Sequence, residues 1–193
     1  MGALESRLRK DLWCQMVNRQ LALFETPVVE KPSWKNPLYR VSLLIPLGKS
    51  HPGRFGAVRK HDIHTGVDLY CPEGTIVQPV EDGVVVARGR FTGESIGMPW
   101  WEETDYIAIK GNSGVVLYGE LSLGGWRIGE KVVAGEAALG TVKRVLKRDK
   151  GRPMSMLHLE LYSRWNGSWE SWELGSEKPK NLLDPTYLLS TIR

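Results

Sequence analysis

Cysteine is nearly missing from this chain: only Cys14 and Cys71 occur in 193 residues, which excludes a disulfide framework and a cysteine-rich metal site. Cys71 is expected to pack as a small buried side chain. No apolar run approaches the roughly 20 residues of a membrane-spanning helix, so no membrane span is expected. The N-terminus has no continuous apolar stretch after its basic residues, so no secretory signal is visible. That leaves open cytoplasmic storage with release by another route, a chain already trimmed of its signal, and a function elsewhere. Internal repeats and low-complexity segments are also missing. A strong charge imbalance is lacking too: the net charge of +4 and pI near 9.1 suit an acidic polymer as well as many ordinary proteins, and although charge alone does not exclude nucleic acid, no nucleic-acid partner is expected.

What is present reads as one soluble domain with an appended segment. Over residues 3–24, Leu4, Leu8, Leu12 and Met16 recur at four-residue spacing beside Trp13, Val17, Leu21 and Phe24, the stripe of an amphipathic helix. Arg7, Arg9, Lys10 and Arg19 would also suit a membrane surface, although such a stripe packs more often on its own domain. Pro27, Pro32 and Pro37 make a stiff linker, so the domains are set at 1–38 and 39–193.

Short β-type runs follow at 41–45, 66–70, 75–79, 83–87, 106–110, 115–121, 131–133 and 157–162, separated by Gly and Pro. The fold class is therefore mostly β, an antiparallel sandwich or open barrel. Gly111-Asn-Ser-Gly114 is the expected turn of a hairpin.

Two stretches carry chemistry. In His64-Thr-Gly-Val-Asp68 an imidazole and a carboxylate stand an even number of residues apart in an extended segment, which directs both to one face. In Met154-Ser-Met-Leu-His158-Leu-Glu160-Leu-Tyr162, the leucines 157, 159 and 161 take one face and Met156, His158 and Glu160 the other. Together His64, Asp68 and His158 form a two-imidazole, one-carboxylate donor set for Zn²⁺ with an open fourth position.

The chain here resembles the lysostaphin-type (LytM-like) zinc metallopeptidases that cut peptide cross-links of bacterial peptidoglycan. The resemblance runs from about residue 39 to 189. It is carried by Phe55-Gly56, His64-Thr-Gly-Val-Asp68-Leu, Pro72-Glu-Gly-Thr75, Pro79-Val-Glu-Asp-Gly83, Leu117-Tyr-Gly-Glu-Leu-Ser122, Gly129-Glu-Lys-Val-Val-Ala-Gly135, His158-Leu-Glu160-Leu and Asp184-Pro185. It implies the duplicated hybrid β fold, Zn²⁺ on His64, Asp68 and His158, and a peptide or peptidoglycan-like substrate in a groove. Two further active-site histidines of that family are replaced, by Glu120 and Met156, and the usual Gly-Pro is replaced by Met154-Ser155.

The strand at 115–121 should place Val116, Tyr118 and Glu120 on the face that in the family looks toward the metal. Glu120 is then a candidate general base or, alternatively, a fourth ligand that closes the site. Met156 can do neither job. His51 or His61 could stand in for a lost imidazole. Three readings stay open: a zinc endopeptidase with altered machinery, an inactive groove-binding or regulatory pseudoenzyme, and an interaction module acting through its N-terminal helix. Tyr118, Trp100 and Trp101 are candidate substrate contacts, the tryptophans lying in an excursion over 88–104. A second excursion at 143–152 holds six basic residues against Asp149, either a solvated loop or a clamp for an anionic substrate. A third, Trp165-Asn-Gly-Ser-Trp169 with Trp172, reads as a hairpin tip or lid.

Overall fold

The computed structural model describes residues 33–149, 151 and 153–192. The helix expected over 3–24 lies outside the described residues.

Among the described residues nine strands form an antiparallel sheet: β1 (Val67–Tyr70), β2 (Ile76–Val77), β3 (Gly83–Thr92), β4 (Thr104–Lys110), β5 (Val115–Leu123), β6 (Lys131–Val132), β7 (Gly140–Val142), β8 (Met156–Tyr162) and β9 (Leu182–Leu183). Their main order is β1-β8-β5-β4-β3-β6, with β7 joining β2 to β5 and β9 edging β8. A short helix, α1 (Thr186–Ser190), closes the described chain. The mostly β, antiparallel expectation is met.

Alternation divides β8 as its sequence directs. Leu157, Leu159 and Leu161 enter the larger core with Val67, Leu69, Val116, Tyr118, Ile107 and Ile109. Each such buried side chain contributes about 1.5–3 kcal/mol. The opposite face carries a smaller core of Ala87, Tyr106, Ala108, Val115, Leu117 and Tyr162, roofed by Phe55, Phe91, Trp165, Trp169 and Trp172. His158 and Glu160 lie on that second face, so the site sits where the aromatic roof ends.

Some expectations move. Residues 41–45 join no strand, and their Val41, Leu43 and Ile45 pack against the edge of the larger core. β7 and β9 are too short to show a period. Trp34 and Leu38 are core residues, with Lys35 N–H donating to Val80 O and Leu38 bridging Val77. The segment over 165–172 is an irregular loop and no hairpin; Trp165 packs on Tyr162 and Tyr106, Trp169 on Phe91, and Trp172 on Phe55. The expected turn does join β4 to β5, with Gly111 N–H donating to Gly114 O at 2.9 Å.

Candidate metal centre

The register of β1 against β8 sets Asp68 directly opposite His158. His64 precedes β1 and is placed by backbone bonds of its own, its N–H to Ala57 O at 2.9 Å and its carbonyl from Gly56 N–H at 2.9 Å. Close approach of β8 depends on Gly66: a Cβ there would stand 2.5 Å from Leu159 O and 2.9 Å from the His158 ring.

Three donor atoms converge. His64 Nε2 lies 3.1 Å from His158 Nδ1 and 3.0 Å from Asp68 Oδ1, and His158 Nδ1 lies 2.9 Å from the same oxygen. The outward ring nitrogens are engaged elsewhere: His64 Nδ1 is 2.8 Å from the carbonyl of Arg54, and His158 Nε2 is 3.0 Å from Glu160 Oε1. Carbonyl and carboxylate oxygens only accept, so both outward nitrogens carry the proton and donate. In the neutral rings, both inward nitrogens then present lone pairs to each other and to Asp68. Such an arrangement requires a cation between them.

Without a metal, that cation is a proton. His158 is raised to about 10: burial works against its charge, but the bonds to Asp68 and then Glu160 outweigh it. His64 is lowered, chiefly by burial, so it stays neutral. Burial also opposes the charge of Asp68, yet the nearness of His64 and the bond from His158 hold the carboxyl far below the usual range. Glu160 is likewise held low against its burial, through His158 and the hydroxyls of Thr65 and Tyr162.

The same set fits a metal ion. Among the described residues, His64, Asp68 and His158 are the group whose donor atoms all lie within 4.8 Å of one another. Tetrahedral ligand bonds of about 2.0–2.2 Å separate donor atoms by about 3.4 Å, close to the 2.9, 3.0 and 3.1 Å found here. Outward nitrogens anchored on a carbonyl and a carboxylate are the usual support of metal-binding imidazoles.

Glu120 reaches this site by a route that alternation does not give. Ile107 pairs with Tyr118 and Asp105 with Leu121, so Gly119 and Glu120 together oppose the single Tyr106, a β-bulge with Glu120 at φ 66°. Val116 and Tyr118 therefore point into the larger core, away from the site, and the shared face expected for Val116, Tyr118 and Glu120 does not exist. Tyr118 is 0% exposed and its hydroxyl accepts from Val80 N–H at 2.9 Å, so it cannot touch a substrate. Glu120, 5% exposed, opens onto the cavities on both sides of the triad. Among the described residues its Oε2 is the buried side-chain oxygen with no hydrogen-bond partner. Burial, then the charge of Asp68, raise its carboxyl to about 8.

The cavity beside Asp68 and Glu120 has a volume of about 440 Å³ and is bounded by Trp101, Leu146, Met154, Met156, Tyr70 and His61, among others. One of about 160 Å³ lies on the His64 and His158 side, under Phe91, Trp169 and Trp172. Trp101 thus borders the site, whereas Trp100, 74% exposed, lines an adjoining hollow with Leu146, Lys147 and Arg148. In the basic excursion, Lys143 is bonded to Glu103 O, Arg144 to Leu146 O and Lys147 to Glu94. His51 accepts from Gly53 N–H and packs on Tyr70, and His61 is an exposed wall residue; neither joins the triad.

Sequence reasoning missed Arg59, whose Nη2 bonds the free oxygen of Asp68 at 2.6 Å while the side chain borders both cavities. It comes from a loop without periodicity and left no signal. Glu160 as the anchor of His158 was legible in the His-x-Glu spacing on one strand face.

No family model matches the sequence, and no curated protein matches it. Solved structures do. CbpA from L. salivarius REN aligns with a TM-score of 0.54 at 19% identity, over 83% of this chain and 96% of its own. The antimicrobial peptidase lysostaphin from Staphylococcus simulans aligns at 0.52 and 18%, over 82% of this chain and 55% of its own. The fold is the lysostaphin fold. At such identities the likeness establishes the fold alone. The chain spans 55% of that lysostaphin chain and 63% of a Pseudomonas aeruginosa chain that it also matches, with 16% identity over 93% of its own length and a TM-score of 0.49.

Proposed function

We propose that this lysostaphin-fold chain holds Zn²⁺ on His64, Asp68 and His158 and takes a peptide of the peptidoglycan cross-link type into the groove beside it, hydrolysing it slowly. The observation that carries the reading is the meeting of three lone-pair donors whose outward nitrogens are already committed to Arg54 O and Glu160. When bound, Zn²⁺ supplies a Lewis acid that polarises a peptide carbonyl and acidifies a water.

The protein's own groups supply less than a full set. Burial beside the triad, outside the clustered donors, supports Glu120 as the group that takes a proton. Arg59 orients Asp68 through Oδ2. Met156, on the cavity wall, can neither donate to an oxyanion nor accept a proton usefully. Lacking one general base or one oxyanion donor costs about 10²-fold to 10⁴-fold in rate, which sets the expectation of weak turnover.

Met156 also favours a second reading, a pseudoenzyme that keeps metal and groove to bind a peptide partner. The test is hydrolysis of purified peptidoglycan and cross-link peptides by the zinc-loaded wild type and Glu120→Gln. Slow cleavage abolished by Glu120→Gln with zinc retained supports the hydrolase. Peptide binding without any cleavage supports the pseudoenzyme, and neither binding nor cleavage overturns both.

A further inference from the structure

Resting on that peptide-groove reading, we infer that the 440 Å³ cleft is a pocket for one bulky apolar side chain of the bound peptide, whose backbone N–H is donated to Glu120 Oε2. The site therefore selects peptides carrying an aromatic or large aliphatic residue on this side of the metal centre.

Three observations converge on it. First, part of the wall is apolar: Trp101, Val145, Leu146, Met154 and Met156 line the cleft together with the charged Arg59, Lys60 and Asp62, and its size lies within the usual range of ligand pockets. Second, the wall is built before any ligand arrives. Trp101 bridges Leu146, Glu102 N–H donates to Val145 O at 2.8 Å, Val145 N–H donates to Met154 O at 2.9 Å, and Lys143 N–H donates to the carbonyl of Glu120 itself at 2.9 Å. Main-chain bonds thus tie the excursion that carries Trp101 to the strand end that carries Met156, which lowers the ordering cost of binding at this wall.

Third, the cleft contains an acceptor that lacks a donor. A buried oxygen without a partner is unfavourable by the full desolvation of the group, and a peptide N–H supplies what is missing. The cavity across the triad is only about 160 Å³ and its rim holds Thr92, Ser171 and Phe91, so a small residue fits on that side. The groove is asymmetric about the metal centre, and the asymmetry sets the direction in which a peptide lies.

The test is calorimetric binding of zinc-loaded full chain to pentaglycine and to five pentapeptides in which a single phenylalanine is moved through the positions, each checked for intactness by chromatography. One position should bind at least about tenfold tighter than pentaglycine. Leu146→Asp and Met154→Asp, both at partly exposed positions, should each bring the phenylalanine-to-glycine ratio near one. The inference is overturned if all five phenylalanine peptides bind within twofold of pentaglycine, or if the preference survives both wall substitutions. If pentaglycine and every other peptide fail to bind a zinc-loaded chain, the peptide groove itself is refuted, and the pocket with it.

Discussion

Replacing Glu160 by alanine should damage fold and metal site together, for reasons that can be counted. Glu160 is 1% exposed, and its two oxygens accept from His158 Nε2 at 3.0 Å, from Thr65 Oγ1 and from Tyr162 OH. Alanine removes both acceptor oxygens and with them all three bonds. Thr65 is only partly buried and can turn toward solvent, so its loss is small. The His158 N–H and the Tyr162 hydroxyl are sealed, and each buried donor left without a partner costs about 1–3 kcal/mol, giving about 2–6 kcal/mol in urea unfolding of the metal-free protein. Zinc affinity, measured by competition with a chromophoric chelator, should fall about 10-fold to 100-fold, because His158 loses the anchor that fixes its tautomer and direction. Glu160→Gln keeps the shape and one acceptor, so it should recover much of the stability but not the affinity. An alanine variant that unfolds within about 0.5 kcal/mol of wild type and binds zinc within twofold would refute this account of Glu160.

Gly66→Ala places a methyl 2.5 Å from Leu159 O and 2.9 Å from the His158 ring, and should lower stability by about 1–3 kcal/mol while weakening zinc binding; an unchanged zinc titration would contradict the tight approach of the two strands. In the metal-free protein, a His158 raised to about 10 adds stability that is complete below pH about 6.5 and is lost as the pH rises through about 10. Zinc must displace that proton, so uptake near pH 7 should release about one proton per metal, read from calorimetry in buffers of different ionisation enthalpy; zero release would show His158 already neutral. Glu120→His combined with Met156→His should raise cleavage of cross-link peptides by more than the product of the single effects, since base and oxyanion donor act as one unit. Equal rates for wild type and the double variant would refute the idea that these two positions limit turnover.

The sequence showed the site's components more clearly than their assembly. The leucine alternation in β8 set His158 and Glu160 apart from the core, because period two survives wherever a strand is regular. The same rule failed on β5. There a bulge, marked by the register shift against β4 and by Glu120 at φ 66°, breaks the period and sends Glu120 to the face opposite Tyr118. A strict alternation would have buried Glu120 in the larger core. His64 and Asp68 do meet, but the strand begins only at Val67, and His64 is placed by loop bonds from Gly56 and to Ala57 that spacing cannot show. Arg59 and the Phe91 ring, which lies 5.3 Å from the His158 ring, reach the site through tertiary contacts without any local pattern. Trp165, Trp169 and Trp172 were legible as a cluster but not as a roof, since aromatic content alone does not tell a binding tip from a core cover.

Metal stoichiometry tests the central claim most directly. Full-length protein, stripped with chelator and titrated with Zn²⁺, should take up one equivalent per chain with wild-type side chains and none at comparable affinity after His64→Ala, Asp68→Ala or His158→Ala, each variant being checked for its β-sheet circular dichroism. Uptake that survives His158→Ala in a folded chain would contradict the assignment of the triad as the metal centre.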